Sequence, residues 1–190
     1  GSVAMEKILL HSCCGPCSSA VIERLIERFD VTVYFYNPNI TLEDEYFKRL
    51  SGQKRLIKSM SEEHEVDIKL LTGSSDSTDF YRAASKYSYE SEGGNRCRAC
   101  YDLRLLDTAR LADELGIETF STTLSISPHK RFSDIVISAE NARRCYGGNF
   151  LAEDFKKRDG FRRSIELSKR YGLYRQNYCG CRYSKRELAY

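Results

Sequence analysis

Residues 7–19 of the chain read KILLHSCCGPCSS and place three cysteines where a buried strand gives way to a helix. The apolar run Ile8 to Leu10 predicts the strand, and Gly15-Pro16 ends it before an amphipathic helix predicted over 18–29. In a parallel α/β sheet such a loop lies at the carboxyl edge, where these folds bind ligands, and the positive end of the helix favours a thiolate. The functional residues expected from this loop are Cys13, Cys14 and Cys17.

Strand and helix patterns alternate along the rest of the chain. Further strands are predicted at 31–36, 66–71, 117–123 and 149–151. Further helices are predicted at 42–63, 79–89, 97–115, 131–146 and 161–171. This order predicts an open, mostly parallel sheet with helices on both faces, in a Rossmann-like, nucleotide-hydrolase-like topology. Neither a Walker loop nor GxGxxG follows the first strand, which argues against a phosphate-binding role for that loop.

The composition is that of an ordinary soluble globular domain. The 190 residues are 41% hydrophobic and 30% charged, which suits a single domain over 1–190 with its own core. No apolar run approaches the roughly 20 residues that cross a bilayer, and we find no signal segment, so we expect a cytoplasmic protein without membrane contact. Gly1 and Ser2 resemble the remnant of an expression tag.

The eight cysteines indicate a metal site or redox chemistry, because the cytoplasm keeps thiols reduced and disfavours a disulfide framework. Cys97 and Cys100 form a CxxC on the first turn of a predicted helix, where both thiols point in roughly one direction. Cys179 and Cys181 form a CxC that can close a small strained disulfide, the labile and catalytic kind. Cys145 stands alone and is expected to be a small core residue.

Two kinds of metal site remain open on spacing alone. A zinc site built from the CxxC and another pair is one, and an iron–sulfur cluster held by four thiolates is the other. The vicinal pair Cys13-Cys14 is an awkward zinc motif, and the chain has more cysteines than four metal positions need. Both features favour the cluster, which would form an electron relay with the CxC.

Positive charge is concentrated near the end of the chain. Residues 155–190 contain eleven Lys and Arg against three Asp and Glu, with tyrosines interleaved among them. Such a segment suits binding to a single-stranded RNA loop, and a solvated basic helix is the alternative. The charges expected to contact RNA include Lys156, Lys157, Arg162 and Arg163.

Six segments of the chain form a recognisable set. They are HSCCGPCS (11–18), YFYNPNI (34–40) followed by EYFKR (45–49), RCRACYDLRL (96–105), FSTTLSISPHK (120–130), DFKKRDGFRRS (154–164) and YRQNYCGCRYS (174–184). Together they resemble the epoxyqueuosine reductases of the QueH type. The resemblance runs from Ile8 to Ser184, and the combination of CCxPC, CxxC and YCGC is more specific than any one part.

The resemblance implies reduction of epoxyqueuosine, at the wobble position of tRNA, to queuosine by two-electron removal of the epoxide oxygen as water. It implies a [4Fe–4S] cluster, which we expect at the carboxyl edge of the sheet. An additional iron ion bound by the spare thiolates is a further candidate on chemical grounds. The implied residues are the cluster ligands Cys13, Cys14, Cys97 and Cys100 and the redox-active pair Cys179 and Cys181. Cys17 matches a third N-terminal cysteine, either a spare ligand or a packing residue. The implied partners are the tRNA anticodon loop and an external electron donor.

Two other functions stay open from the residues alone. One is a zinc-stabilised RNA-binding module without catalysis, and the other is a tRNA sulfur-transfer enzyme, which the missing phosphate-binding loop disfavours. The proton donors for a reductase are open as well. The candidates are His11, Asp102 and Asp154, whereas His64 and His129 receive no role.

Overall fold

A computed structural model describes residues 4–188 as one α/β domain built on a five-stranded parallel sheet. The residues taken for a tag remnant, and the last two residues of the basic segment, lie outside this range. The strands are β1 Glu6–Ser12, β2 Phe29–Phe35, β3 Lys69–Thr72, β4 Thr119–Thr122 and β5 Asn149–Phe150. The helices are α1 Gly15–Leu25, α2 Glu43–His64, α3 Thr78–Ala84, α4 Asn95–Leu115, α5 Phe132–Tyr146, α6 Gly160–Arg170 and α7 Arg182–Leu188.

The strand order is β3-β2-β1-β4-β5, and every pairing is parallel. Leu10 of the central strand lies opposite Val33 on one side and Ser121 on the other. The chain builds the sheet outward from β1 and then returns to the other side of β1 with β4. This reversal opens a crevice at the carboxyl ends of β1 and β4, the usual ligand position in such sheets. Cys13 follows β1 there, and Thr123 follows β4.

Helices cover both faces of the sheet, which confirms the predicted fold class. Ile8, Leu10 and Val33 are fully buried and pack against α1, α2 and α6. Leu9 and Phe120 point to the other face and pack against α4 and α5. Successive residues of one strand point to opposite faces, so each strand contributes to two cores. Each fully buried aliphatic side chain contributes roughly 1.5–3 kcal/mol to the free energy of unfolding.

Two local expectations that concern the cysteines differ from the structure. Helix α1 begins at Gly15 rather than near residue 18, because the Cys14 side chain caps it by accepting a hydrogen bond from the Cys17 amide, 3.4 Å away. Cys17 therefore lies inside the helix rather than in the loop. The expectation that Cys145 is a core residue is wrong: it is exposed on the last turn of α5, beyond the face that packs on the sheet.

The helices of residues 4–188 include none with the length and apolarity needed to span a membrane.

A close approach between α1 and α2 fixes the position of the first cysteine loop. A Cβ atom at Gly15 would lie 3.0 Å from the Gly52 carbonyl oxygen, whereas one at Gly52 would meet no atom within 4 Å. A larger residue at Gly15 would therefore push against α2, whereas a larger residue at Gly52 has room.

These two glycines give a matched pair of substitutions. We expect Gly15→Val to lower the free energy of unfolding by about 1–3 kcal/mol, because the new side chain forces the helices apart. We expect Gly52→Ala to leave it unchanged or raise it by up to about 1 kcal/mol, because alanine is the better helix former. Urea unfolding of both variants under reducing conditions measures the difference, and equal stabilities would refute the close-contact argument.

Candidate metal and redox site

The N-terminal cysteines form a compact triad in the crevice. Their Sγ atoms all lie within 4.8 Å of one another, and those of Cys13 and Cys14 are 3.9 Å apart. The Thr123 hydroxyl lies 3.7 Å from Cys13 Sγ and joins the triad to the end of β4. Two thiolates on one tetrahedral ion lie about 3.8 Å apart when each metal–sulfur bond is about 2.3 Å. The triad, with Cys17 as its third member, could therefore hold a metal ion.

Mutual hydrogen bonding separates the acidities of the three thiols. Hydrogen bonds with Cys14 and Cys17 hold the pKa of Cys13 well below its ordinary value. Burial raises the pKa of Cys14 to about 12, and hydrogen bonds with its two neighbours raise the pKa of Cys17. Without a metal, Cys13 is therefore the most acidic thiol of the triad, and Cys14 and Cys17 are protonated at neutral pH. A bound metal ion would replace the remaining two protons.

The CxxC pair lies on the first turns of α4. Cys97 accepts a hydrogen bond from the Gly93 amide at 3.3 Å, and Cys100 is buried. Burial raises the pKa of Cys97 and raises that of Cys100 to about 11. These thiols are therefore protonated when no metal is bound, which suits metal ligation better than free nucleophilic chemistry.

The CxC pair has the opposite character. Cys179 Sγ and Cys181 Sγ are 3.4 Å apart, so the two are free thiols close enough to form a disulfide with a small movement. The hydrogen bond between them lowers the pKa of Cys179 and raises that of Cys181. Gly180 joins them at φ +112°, a conformation that favours glycine. Cys179 is therefore the thiolate of the pair and the more reactive sulfur.

Two adjoining cavities bring the three cysteine groups together. Cys13, Cys17 and Cys179 line the larger cavity, which has a volume of about 480 Å³. Cys97, Cys100, Cys179 and Cys181 line a smaller cavity of about 20 Å³. Because Cys179 lines both, sulfurs from the beginning, middle and end of the chain meet at the carboxyl edge of the sheet.

Two cations lie between these sulfurs. Arg104 and Lys130 line both cavities. Burial disfavours their charged forms, but the nearby sulfurs, chiefly Cys100 for Arg104 and Cys13 for Lys130, outweigh burial and raise both pKa values. Both side chains are therefore charged at neutral pH and offset the negative charge of thiolates. The segments RCRACYDLRL and SPHK contain them, but neither residue was predicted for the site.

A third cation holds the CxC turn in place. Arg49, which is 3% exposed, donates hydrogen bonds to the carbonyls of Tyr178 and Cys179, each at 2.8 Å. Its Nε atom donates to Glu45 at 2.8 Å. A buried arginine with three such partners fixes the backbone on both sides of the reactive thiol. Sequence reasoning missed this residue as well, although it ends the segment EYFKR.

Two buried amides complete the cavity walls. Gln176 Nε2 lies 2.9 Å from Cys14 Sγ and donates a hydrogen bond to it, and Asn39 Nδ2 donates to the Cys179 carbonyl at 3.3 Å. The side-chain oxygens of both amides are buried without a hydrogen-bond partner among the described residues. Buried acceptors of this kind are uncommon in folded proteins, and here they line the cavities as acceptors for a ligand.

The three proton-donor candidates are not among the residues that line the cavities. His11 is buried, with its ring nitrogens bonded to Thr122 Oγ1 and the Tyr36 carbonyl, and burial lowers its pKa to about 4. It is therefore a neutral structural residue. Asp102 is exposed on α4, and Asp154 pairs with a lysine two residues later. None of the three lines either cavity.

Local carboxylates offset part of the charge of the basic segment. Arg163 forms two 2.9 Å hydrogen bonds with Glu23 and a third, at 3.1 Å, with Glu166. The Lys156 ammonium lies 3.2 Å from Asp154. RNA contact by this segment stays a prediction, and its paired residues are less available for phosphates than the sequence alone indicates.

The role of Arg49 yields a direct prediction. Arg49→Lys keeps the charge but loses the fork that binds two carbonyls, so we expect the CxC turn to open more often. Alkylation of Cys179 by iodoacetamide in the reduced, metal-free protein should become about tenfold faster, as followed by mass spectrometry. Arg110→Lys is the control, because Arg110 pairs with Asp107 and Glu114 on the surface of α4. Equal labelling rates in both variants would contradict the proposed role.

Comparison with known proteins shows the family to which this chain belongs. Residues 8–187 match the family model described as Epoxyqueuosine reductase QueH. A relative from Streptococcus pyogenes serotype M1, named Epoxyqueuosine reductase QueH, is 39% identical over 93% of this chain and 69% of its own length. One of the same name from Dehalococcoides mccartyi is 38% identical over 95% of this chain and 93% of its own. The chain therefore belongs to the QueH family of epoxyqueuosine reductases, oxidoreductases of tRNA modification.

Proposed function

We propose that this chain removes the epoxide oxygen of epoxyqueuosine at the wobble position of tRNA, as water, and uses an iron–sulfur centre to do so. The observation that carries the proposal is that six cysteines line two adjoining cavities, with Cys14 beside Cys13 and Cys17, in a member of this reductase family. The same proposal makes tRNA the substrate, requires an external electron donor and places the chain in the cytoplasm.

The donor set fits an iron–sulfur centre. Every candidate ligand is a thiol, which is the ligand that such clusters take. We assign the [4Fe–4S] cluster to four of the thiols and give Cys17 to an additional iron ion beside it. When bound, this iron supplies electron transfer and polarisation of an oxygen atom. The four cluster ligands in the proposal are Cys13, Cys14, Cys97 and Cys100.

Buried cations support the same assignment. Four thiolates in a closed site carry a negative charge that is costly to bury without compensation. Arg104 and Lys130 lie among the sulfurs and supply that compensation. Gln176 donates a further hydrogen bond to the Cys14 sulfur. These side chains would offset the negative charge that the thiolates carry once iron is bound.

The CxC pair supplies the electrons in this proposal. Oxidation of the Cys179 and Cys181 thiols to a disulfide releases two electrons and two protons. Breaking both C–O bonds of the epoxide to give an alkene and water consumes the same two electrons and two protons. An external reductant then reopens the disulfide. The low pKa of Cys179 and the 3.4 Å between the sulfurs suit this cycle.

One experiment tests the function. Protein reconstituted with iron and sulfide is incubated anaerobically with a reductant and tRNA that carries epoxyqueuosine, and the nucleosides are then analysed by mass spectrometry. We expect epoxyqueuosine to lose one oxygen and become queuosine. Unchanged nucleoside with fully loaded protein would refute the proposal, and a colourless protein that binds only zinc would refute the iron centre.

Cysteine variants separate the two roles. We expect Cys97→Ala and Cys100→Ala to lose iron and visible absorbance, because each removes a ligand. We expect Cys179→Ala and Cys181→Ala to keep both and to lose turnover. Cys145→Ala, at an exposed position outside the site, should match the unsubstituted protein in iron content and rate. Loss of iron from the CxC variants would instead make those residues ligands.

A further inference from the structure

A third cavity, outside the cysteine site, lies between the first three turns of α2 and the segment 172–174. Its volume is about 660 Å³, within the roughly 300–1,000 Å³ of ligand clefts. We call it the α2 groove. Its main lining residues are Asp44, Phe47, Lys48, Ser51, Arg55 and Tyr174.

The α2 groove combines exposed aromatic rings with cations. The side chains of Phe47 and Tyr174 are 54% and 39% exposed, which is unusual for rings of this size. The Lys48 ammonium lies 5.5 Å from the centre of the Tyr174 ring. Arg55 donates to the Gly172 carbonyl at 3.1 Å, which leaves its other N–H groups for a ligand. Rings for stacking beside cations for phosphate are the features that bind single-stranded nucleic acid.

The charge of this groove is less compensated than that of α6. Among residues with described side chains, no ion pair joins Lys48 or Arg55 to a carboxylate. Asp44 is the one acidic residue that lines the groove, and two cations oppose it. The basic residue Arg163 of α6, in contrast, is held by two glutamates. An RNA phosphate therefore meets more available charge at α2.

A chain of hydrogen bonds links the groove to the cysteine site. The Tyr174 hydroxyl donates to Glu45 at 2.8 Å, and Glu45 accepts from Arg49. Arg49 in turn binds the carbonyls of Tyr178 and Cys179. The short segment from Tyr174 to Cys179 thus runs from the wall of the groove to the reactive thiol.

We propose that the α2 groove binds the nucleotide next to the modified one, with its base stacked on Phe47 and Tyr174 and its phosphate beside Lys48. This inference rests on the proposed function, because it takes the RNA loop as the substrate. It assigns substrate affinity to residues that contact no cysteine.

A binding experiment with paired changes in protein and RNA tests the stacking. The probe is an RNA hairpin with the anticodon loop, bound to the iron-loaded protein and followed by fluorescence anisotropy. We expect Phe47→Leu to weaken binding about tenfold and Phe47→Tyr, which keeps a ring, to leave it unchanged. Tyr146→Ala removes a partly exposed ring at the far end of α5 and should also have no effect.

The RNA side of the experiment removes one base at a time. Two hairpins are compared, one without the base on the 5′ side of the wobble nucleotide and one without the base on its 3′ side. We expect one of the two to bind the unsubstituted protein more weakly than the intact hairpin does. In Phe47→Leu, removing that base should weaken binding less than it does in the unsubstituted protein, because one of its two stacking partners is already absent. Independent, additive losses for both neighbours would overturn the proposal.

Salt dependence tests the cation. Lys48→Gln should reduce the slope of log Kd against log salt by about 0.7, the value for one phosphate contact on a single strand. Lys69→Gln, at an exposed position on the edge strand β3, is the matched control and should keep the slope. An unchanged slope for Lys48→Gln would overturn the phosphate contact.

The readouts separate this inference from the proposed function. Binding does not require turnover, so the groove can fail while the unsubstituted protein still reduces the epoxide. Equal RNA affinity in Phe47→Leu and the unsubstituted protein would refute the inference. The groove would then be a candidate site for another partner, such as a reductant protein. Equal absorption spectra of the two proteins ensure that the iron centre is intact in both.

Discussion

The parallel pairing of β1 with β4 is the constraint on which the site depends. Because the two strands run side by side in the same direction, their carboxyl ends stop at the same edge, and the loops after them meet. Cys13 follows one strand and Thr123 the other, with their side chains 3.7 Å apart. The helices α4 and α5 then pack on the same face and bring the CxxC and Lys130 to this edge. The sheet therefore determines which distant residues become neighbours.

Buried charge is the second organising feature of the molecule. Arg49 and Arg104 are each 3% exposed, and burying an unpaired guanidinium would be strongly unfavourable. Arg49 meets a carboxylate and two carbonyls, whereas Arg104 has the sulfurs as its main compensating charges. Thiolates that bind a metal ion would in turn have these cations as compensation. Site and cations are therefore mutually dependent, and removal of either leaves the other with an uncompensated charge.

Much of the fold follows from local sequence, and much of the site does not. The apolar runs of β1 and β2 and the spacing on α4 and α5 are enough to predict the sheet and its covering helices. The start of α1 was misplaced because its cap is the thiol of Cys14, whereas the usual caps are Ser, Thr, Asp and Asn. Helix α7 was not predicted, since RYSKREL has too little apolar spacing to distinguish it from a loop.

The buried polar residues of the site were the hardest to foresee. Arginine and glutamine are usually exposed, so composition gives no reason to bury Arg49, Arg104 or Gln176 beside cysteines. Only the tertiary arrangement makes these positions favourable. The same limit applies to Cys145, since its helical spacing from Ala142 suggests the core while its place on the last turn exposes it. Patterns along one helix do not reveal where the neighbouring layer stops.

The exposure of Cys145 has a practical consequence for work at the bench. It is the one cysteine of the eight that faces bulk solvent, so it is the thiol most accessible to a second copy of the chain when the protein is handled in air. A covalently linked dimer on a non-reducing gel would then arise at the tip of α5 and would say nothing about the chemistry in the crevice. Colorimetric thiol counts on native protein would likewise register this sulfur first, and replacing it by serine would give material whose remaining thiols all belong to the crevice.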